Sequence, residues 1–147
     1  MNLNDKELAY LQDQDFLPAK LRLMDRLGKE LADLQAQLRT HIVQSALHFP
    51  AGTDLITGKI SRGENYLNLP YLVLDFPRLI NPENIFALRT MFWWGHEFSC
   101  TLHLQGLALD HYRNALLENL PQWRGKQIYL SVHQHPWAYY FRLTITA

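Results

Sequence analysis

The sequence predicts an α+β fold: two N-terminal helices, the second one long, a largely antiparallel sheet of about five strands with two hairpins, and one short crossing helix. Two patterns carry this prediction. Between residues 21 and 42, apolar side chains recur at three- and four-residue steps, as on the buried face of a helix. Over residues 98–105 and again in the C-terminal third, apolar and polar residues alternate, as along strands with one buried face.

The size and composition of the chain favour one domain. It has 147 residues, of which 48% are hydrophobic, enough for one ordinary globular core. We therefore expect a single α+β domain over residues 1–147. Within it, residues 1–49 form a helical segment, residues 50–65 a connecting loop with room for one short strand, and residues 66–147 a sheet with one inserted helix.

The charge and cysteine content exclude several classes of protein. Fourteen basic residues balance fourteen acidic ones, so the net positive charge of a nucleic-acid-binding protein is missing. No apolar run is long enough to cross a bilayer, and the first twenty-five residues are too charged for a secretory signal. The single cysteine, Cys100, rules out an internal disulfide and fits a reducing compartment. We expect a cytoplasmic protein with neither nucleic acid nor membrane as partner.

Two helices are predicted before residue 50. Asn4 and Glu7 have the spacing of a capping box, and Leu3 and Leu8 are placed as a hydrophobic staple around the same helix start. This first helix should end near residue 14. Pro18 then suits the first turn of the second helix, where a missing N–H costs nothing.

The apolar stripe of the second helix has two interpretations. It lies across the sheet of its own domain, or part of it pairs with the same helix of a second copy. The second interpretation rests on length, because a helix of about 45 Å outruns a sheet of short strands. A homo-oligomer through the long helix is therefore a hypothesis from sequence. The stripe consists of Leu21, Met24, Leu27, Leu31, Leu34, Leu38 and Ile42.

The first strand is predicted within residues 66–76, and Pro70 suggests that this strand is at a sheet edge or begins after the proline. A hairpin follows over residues 88–105. A three-residue turn at residues 95–97 would pair Trp94 with Phe98 and Phe92 with Cys100. In this register Cys100 faces the core as a small buried hydrophobic residue.

A short helix and a second hairpin complete the predicted fold. The helix covers residues 109–120, with Asp110 as its cap and Pro121 as its end. The hairpin has strands near residues 128–133 and 139–146, joined by a four-residue loop at residues 134–137.

The polar face of this sheet is the predicted site. It combines cations with aromatic side chains, so it either faces solvent as an ordinary wet face or lines a groove for an anionic or aromatic small molecule. Arginines would engage an anionic group, and flat rings would supply apolar contact. The candidate ligand-binding residues are Arg89, Trp93, His103, Tyr129, His133, Tyr140 and Arg142.

No motif in the sequence names a reaction. There is no phosphate loop, dinucleotide fingerprint or zincin helix, and no metal or cofactor is predicted. The runs RGENY, LPYLVLDFPR and MFWWG resemble a bacterial protein family, and that resemblance implies no activity. The sequence therefore predicts a non-enzymatic binding or assembly module, with a homodimer as one form. The open alternative is a small-molecule-binding protein, or an enzyme that uses His103 or His133 as acid and base.

Overall fold

The computed structural model describes residues 2–96, 98–131, 135 and 137–138, and it confirms an α+β fold with an antiparallel sheet. Four strands are described, in the spatial order β1-β2-β3-β4. None of the described helices combines the length and apolar character needed to cross a membrane. In chain order the elements are α1 (Asp5–Gln12), α2 (Phe16–Gln44), β1 (Lys59–Tyr66), β2 (Leu69–Ile80), β3 (Ile85–Trp93), β4 (Phe98–Gln105) and α3 (Leu107–Trp123).

Side-chain caps set the starts of α1 and α2. The Asn4 side chain accepts a hydrogen bond from the Glu7 backbone N–H at 2.9 Å, and the Glu7 carboxylate accepts one from the Asn4 N–H at 2.8 Å. The predicted capping box is thus present. Before α2, the Asp13 carboxylate accepts hydrogen bonds from the N–H groups of Asp15 and Phe16, so α2 begins ahead of Pro18.

The apolar stripe of α2 packs on one face of the chain's own sheet. Met24 and Leu31 are only 1% and 2% exposed, and they pack against a buried row of β2 side chains. The helix runs antiparallel to β1, since Asp25 meets Arg62 whereas Gln35 reaches the Thr57 carbonyl just before the strand. The β2 row consists of Leu72, Leu74 and Phe76.

The first two strands differ from the prediction. β1 occupies eight residues, all but its last inside residues 50–65, the segment expected to be a connecting loop with room for one short strand. β2 is longer than predicted and lies between β1 and β3, so the expectation of an edge strand, or of a start after Pro70, is wrong. Pro70 is tolerated because the β1–β2 pairing is irregular between Gly63 and Tyr66, and its carbonyl still accepts the Trp94 N–H at 2.9 Å.

The predicted register of the β3–β4 hairpin is wrong by two residues. Phe92 pairs with Phe98, and Thr90 pairs with Cys100, so the β3–β4 ladder ends two residues earlier on β3 than predicted. The tighter turn is lost because Trp94 leaves the ladder and packs edge-on against Phe16, with 6.2 Å between ring centroids. A shift of two residues keeps every side chain on its predicted face.

Cys100 is exposed, so the prediction of a buried thiol is wrong. It lies on the helix-covered face of β4, but α2 packs over β1 and β2 and does not cover this edge strand. Phe98 and Leu102, on the same side of β4, are half-exposed for the same reason.

The third helix also differs in its ends. It begins after Gly106, not at an Asp110 cap, and the Asn84 side chain accepts the Leu107 N–H at 2.7 Å. Gly106 has φ +63°, and a Cβ there would collide with the Glu83 carbonyl, so the position requires glycine. Pro121 lies inside the helix and does not end it.

The second predicted hairpin is not found where it can be tested. Residues 128–131 are described and form no strand. Its remaining strand residues, 132–133 and 139–146, lie outside the described residues.

Candidate functional site

The predicted site lies on the face of the sheet opposite α2, which we call the second face. Its apolar half is built from Val73, Met91 and Trp93, which are buried under partly buried side chains from β1 and β2. Its polar half is built from Asp75, Arg89 and His103 on three neighbouring strands. The second face is therefore partly covered rather than uniformly wet.

Asp75 and Arg89 form a buried, bidentate ion pair at the centre of this face. They are direct partners in the β2–β3 register. Arg89 Nε donates to Asp75 Oδ1 at 2.6 Å, and Arg89 Nη2 donates to Oδ2 at 2.7 Å. Their side chains are only 5% and 14% exposed, so each charge depends on the other. The guanidinium fork predicted for an anionic ligand thus already binds a carboxylate of its own chain.

His103 and Trp137 close this polar group. The His103 ring lies 4.9 Å from the Trp137 ring, edge to face, and Arg89 Cζ lies 5.0 Å from the same tryptophan ring. The arginine contact has cation–π geometry, which a desolvated site strengthens. Burial, and then the Arg89 charge, lower the pKa of His103, while Asp75 acts in the opposite direction. We call Asp75, Arg89, His103 and Trp137 the polar cluster.

Trp93 is buried, whereas the sequence predicted a ring on an open ligand-binding face. It is 8% exposed, and its indole N–H donates to the Tyr66 carbonyl at 3.0 Å. His96 stacks on it with 3.7 Å between ring centroids and 7° between planes. Tyr66 adds an edge contact at 5.2 Å. The ring therefore fills a core, and its predicted role as an open flat surface is not what this geometry offers.

Among the other predicted site residues, the structure describes Tyr129 alone. Tyr129 is 63% exposed and lies outside any strand. His133, Tyr140 and Arg142 lie outside the described residues. Of the four candidates that the structure describes, Arg89, Trp93 and His103 share one face, and Arg89 and His103 belong to the polar cluster.

Sequence reasoning missed two members of the polar cluster. Asp75 had a signal, because an acidic residue inside the apolar run YLVLDF needs a cation from a neighbouring strand. Trp137 had none, since it was placed in a hairpin loop and its position over Arg89 depends on tertiary structure.

A groove lies on the other side of the sheet, between α2 and the edge strand β1. It is an open depression with a volume of about 500 Å³. Its floor is apolar, its helix wall carries two small residues, and its rim carries an ion pair of 3.0 Å between Arg62 and Asp25. We call it the α2–β1 groove; it is lined by Met24, Asp25, Gly28, Lys29, Ala32, Ile60, Arg62 and Leu72.

The N-terminal helices expose an unusual number of large apolar side chains. No residue of α1 is buried. Along α2, Leu17 and Leu21 continue the apolar stripe beyond Met24, yet they are 61% and 56% exposed. We define the N-terminal apolar surface as Leu3, Leu8, Leu11, Phe16, Leu17 and Leu21, all at least 40% exposed.

Within the described part of the chain, no three His, Cys, Asp or Glu side chains lie close enough together to hold a metal ion. The chain matches no protein-family model, no curated protein and no solved structure.

Proposed function

We propose that this chain is a non-enzymatic assembly module that forms a homodimer through its N-terminal helices. The observation that carries the proposal is the N-terminal apolar surface. Single exposed leucines are ordinary, but apolar side chains concentrated on one short stretch are typical of a protein contact surface. An eight-residue helix such as α1 is also too short to be stable by itself in water, so it needs a packing partner.

The charge distribution favours a second copy as that partner. Residues 2–16 carry four acidic side chains and one basic side chain. Residues 17–29 carry four basic side chains and one acidic side chain. In a two-fold symmetric contact with antiparallel helices, the acidic segment of each copy faces the basic segment of the other. The same surface is thus complementary to itself.

The polar cluster supports the non-enzymatic part of the proposal. Asp75 and Arg89 neutralise each other, and the Trp137 ring contacts both Arg89 and His103. A catalytic acid or base needs access to a substrate, whereas these groups are engaged with their own chain. A small-molecule site on the second face stays a prediction, and the Asp75 carboxylate competes with any anionic ligand for Arg89.

The experiment is a mass measurement in solution. Light scattering after size exclusion, over a range of micromolar concentrations, should give twice the 17.3 kDa of one chain. Leu17→Asp should weaken the dimer at least about tenfold, because burying one leucine contributes about 1.5–3 kcal/mol. The matched control is Leu117→Asp on α3, where the leucine is 58% exposed, and this variant should dimerise normally.

A monomeric mass for the unaltered chain at every concentration would overturn the proposal. Equal weakening by Leu17→Asp and Leu117→Asp would also contradict it, because the effect would then be general and not a property of the N-terminal apolar surface. Circular dichroism of each variant checks that the fold is retained.

A further inference from the structure

We infer that the α2–β1 groove of one copy receives helix α1 of the other copy, so that each dimer holds two such contacts. This inference rests on the proposed dimer and assigns its receiving surface. The groove has an apolar floor formed by Met24, Ile60 and Leu72, and it is open to the outside along the edge strand β1. It is large enough for more than one apolar side chain.

Gly28 is the residue that most strongly indicates that the groove receives a partner helix. It lies in the middle of α2, where glycine destabilises a helix relative to alanine. Its own chain gives no reason for that cost, because a Cβ at Gly28 would meet no atom within 4 Å. Ala32, one turn further on, is also small. The space above these two residues is left free by the chain, and a helix from a partner can approach closely there.

Helix α1 has the apolar side chains that fit such a groove. Leu8 and Leu11 are three residues apart, so they project from one side of the helix as neighbouring anchors. They are 45% and 70% exposed in the single chain. An amphipathic helix that places anchors at this spacing into an apolar groove is a recurrent mode of recognition between proteins.

The charges at the groove rim match the acidic first turn of α1. The rim carries Asp25, Lys29 and Arg62, and Asp25 is paired with Arg62. Among the described residues, Lys29 forms no ion pair, so it is the cation left for a partner. Asp5 in the first turn of α1 supplies an acidic side chain for it. Such rim pairs contribute more to orientation than to affinity.

The spacing along α2 agrees with this arrangement. Two antiparallel α2 helices related by a two-fold axis near residue 20 bring Phe16, the first residue of α2, level with Met24 of the other copy, because both rise equally per residue. Helix α1 ends at residue 12, shortly before α2 begins, and Met24 and Gly28 both line the groove. The axis then passes beside Leu17 and Leu21, which are exposed in the single chain.

The test fills the groove without disturbing the fold. Gly28→Leu places a side chain in open space, so the variant should fold and keep the circular dichroism spectrum of the unaltered chain. Its dimer dissociation constant should rise about tenfold or more, since it occupies the space of a partner leucine. The matched control is Gly28→Ala, which gains helix propensity but leaves most of the groove empty. This control should dimerise nearly as well as the unaltered chain.

A cross-linking experiment tests the contact directly. In chains carrying Cys100→Ser, one sample carries Leu11→Cys and the other Ala32→Cys, and the two are mixed and oxidised. A disulfide between them forms only if the Cα atoms approach within about 7 Å. We expect a covalent heterodimer. Val43→Cys, also on α2 and 79% exposed, replaces Ala32→Cys in the control and should give none.

The outcomes separate this inference from the proposed function. If the unaltered chain is dimeric and Leu17→Asp dissociates it, the proposed function holds. If Gly28→Leu then dimerises normally and the 11–32 cross-link does not form, the groove is not the receiving surface and the inference is wrong. A monomeric unaltered chain would overturn both.

Discussion

At the scale of single residues, the Asp75–Arg89 pair determines the chemistry of the second face. Both side chains belong to central strands, where an isolated charge would be very costly to bury. Two parallel hydrogen bonds join both carboxylate oxygens to two of the five guanidinium N–H groups. The pair is therefore part of the packed sheet, and each of its charges neutralises the other.

Removing one partner of this pair should be strongly destabilising. Asp75→Asn leaves the Arg89 charge buried without its carboxylate, and we expect the free energy of unfolding to fall by about 3–5 kcal/mol. Urea denaturation followed by tryptophan fluorescence measures this. The double variant Asp75→Leu with Arg89→Met should recover most of the loss, because no charge is left buried. A single-variant loss below ~1 kcal/mol would contradict a mutually dependent pair.

His103 should make stability depend on pH. Burial and the Arg89 charge lower its pKa in the folded chain below the usual 6.5, so the unfolded chain binds the proton more readily. The stability due to neutral His103 is then complete above pH 6.5 and is lost as the pH falls through the folded-state pKa. The thermal midpoint of the unaltered chain should therefore decrease from neutral pH to about pH 5 more steeply than that of His103→Gln. Parallel curves for the two proteins would exclude this role.

At the scale of secondary-structure elements, the sequence predicted correctly the features that depend on residues close together in the chain. The capping box of α1 and the stripe of α2 depend on residues three and four positions apart, and both are found. The alternation in β3 and β4 assigned the two faces correctly, although the register was displaced by two residues. Face assignment survives because it depends only on the period of a strand.

The position and length of β1 could not be derived from local patterns, because they depend on tertiary contacts. β1 has the polar sequence KISRGENY, which lacks an apolar alternation. Its Gly63 is covered by the ring of Tyr71 from β2, and a side chain at that position would collide with the ring. An aromatic ring over a strand glycine is known to stabilise sheets, but it requires knowing which strands are neighbours.

The same limit applies to the candidate site. Arg89, Trp93 and His103 were placed on one face by alternation, and the structure places them there. Their partners come from elsewhere in the chain. Asp75 reaches Arg89 across the β2–β3 ladder, and Trp93 is covered by Tyr66 from β1. Exposure of a strand residue therefore cannot be derived from its period alone.

At the scale of the whole molecule, a neutral chain conceals a charge asymmetry. The net charge is zero, yet the acidic residues 2–16 precede the basic residues 17–29. Lys20 in the basic segment pairs with Glu64, whereas Lys29 forms no ion pair among the described residues. The dimer that we propose brings opposite charges of two copies together around an apolar centre.

Salt should therefore weaken this dimer, because screening acts on exposed charges and leaves apolar contacts intact. Sedimentation equilibrium at about 20 mM and about 0.5 M NaCl should show a dissociation constant several-fold higher in the second buffer. Lys29→Glu should weaken the dimer at low salt, and adding Asp5→Lys to the same chain should restore it, since every contact of a two-fold dimer is then reversed in sign. Two outcomes would contradict the proposed contact between α1 of one copy and the α2–β1 groove of the other. One is a dimer that salt strengthens, and the other is a double charge reversal that leaves the dimer as weak as Lys29→Glu alone.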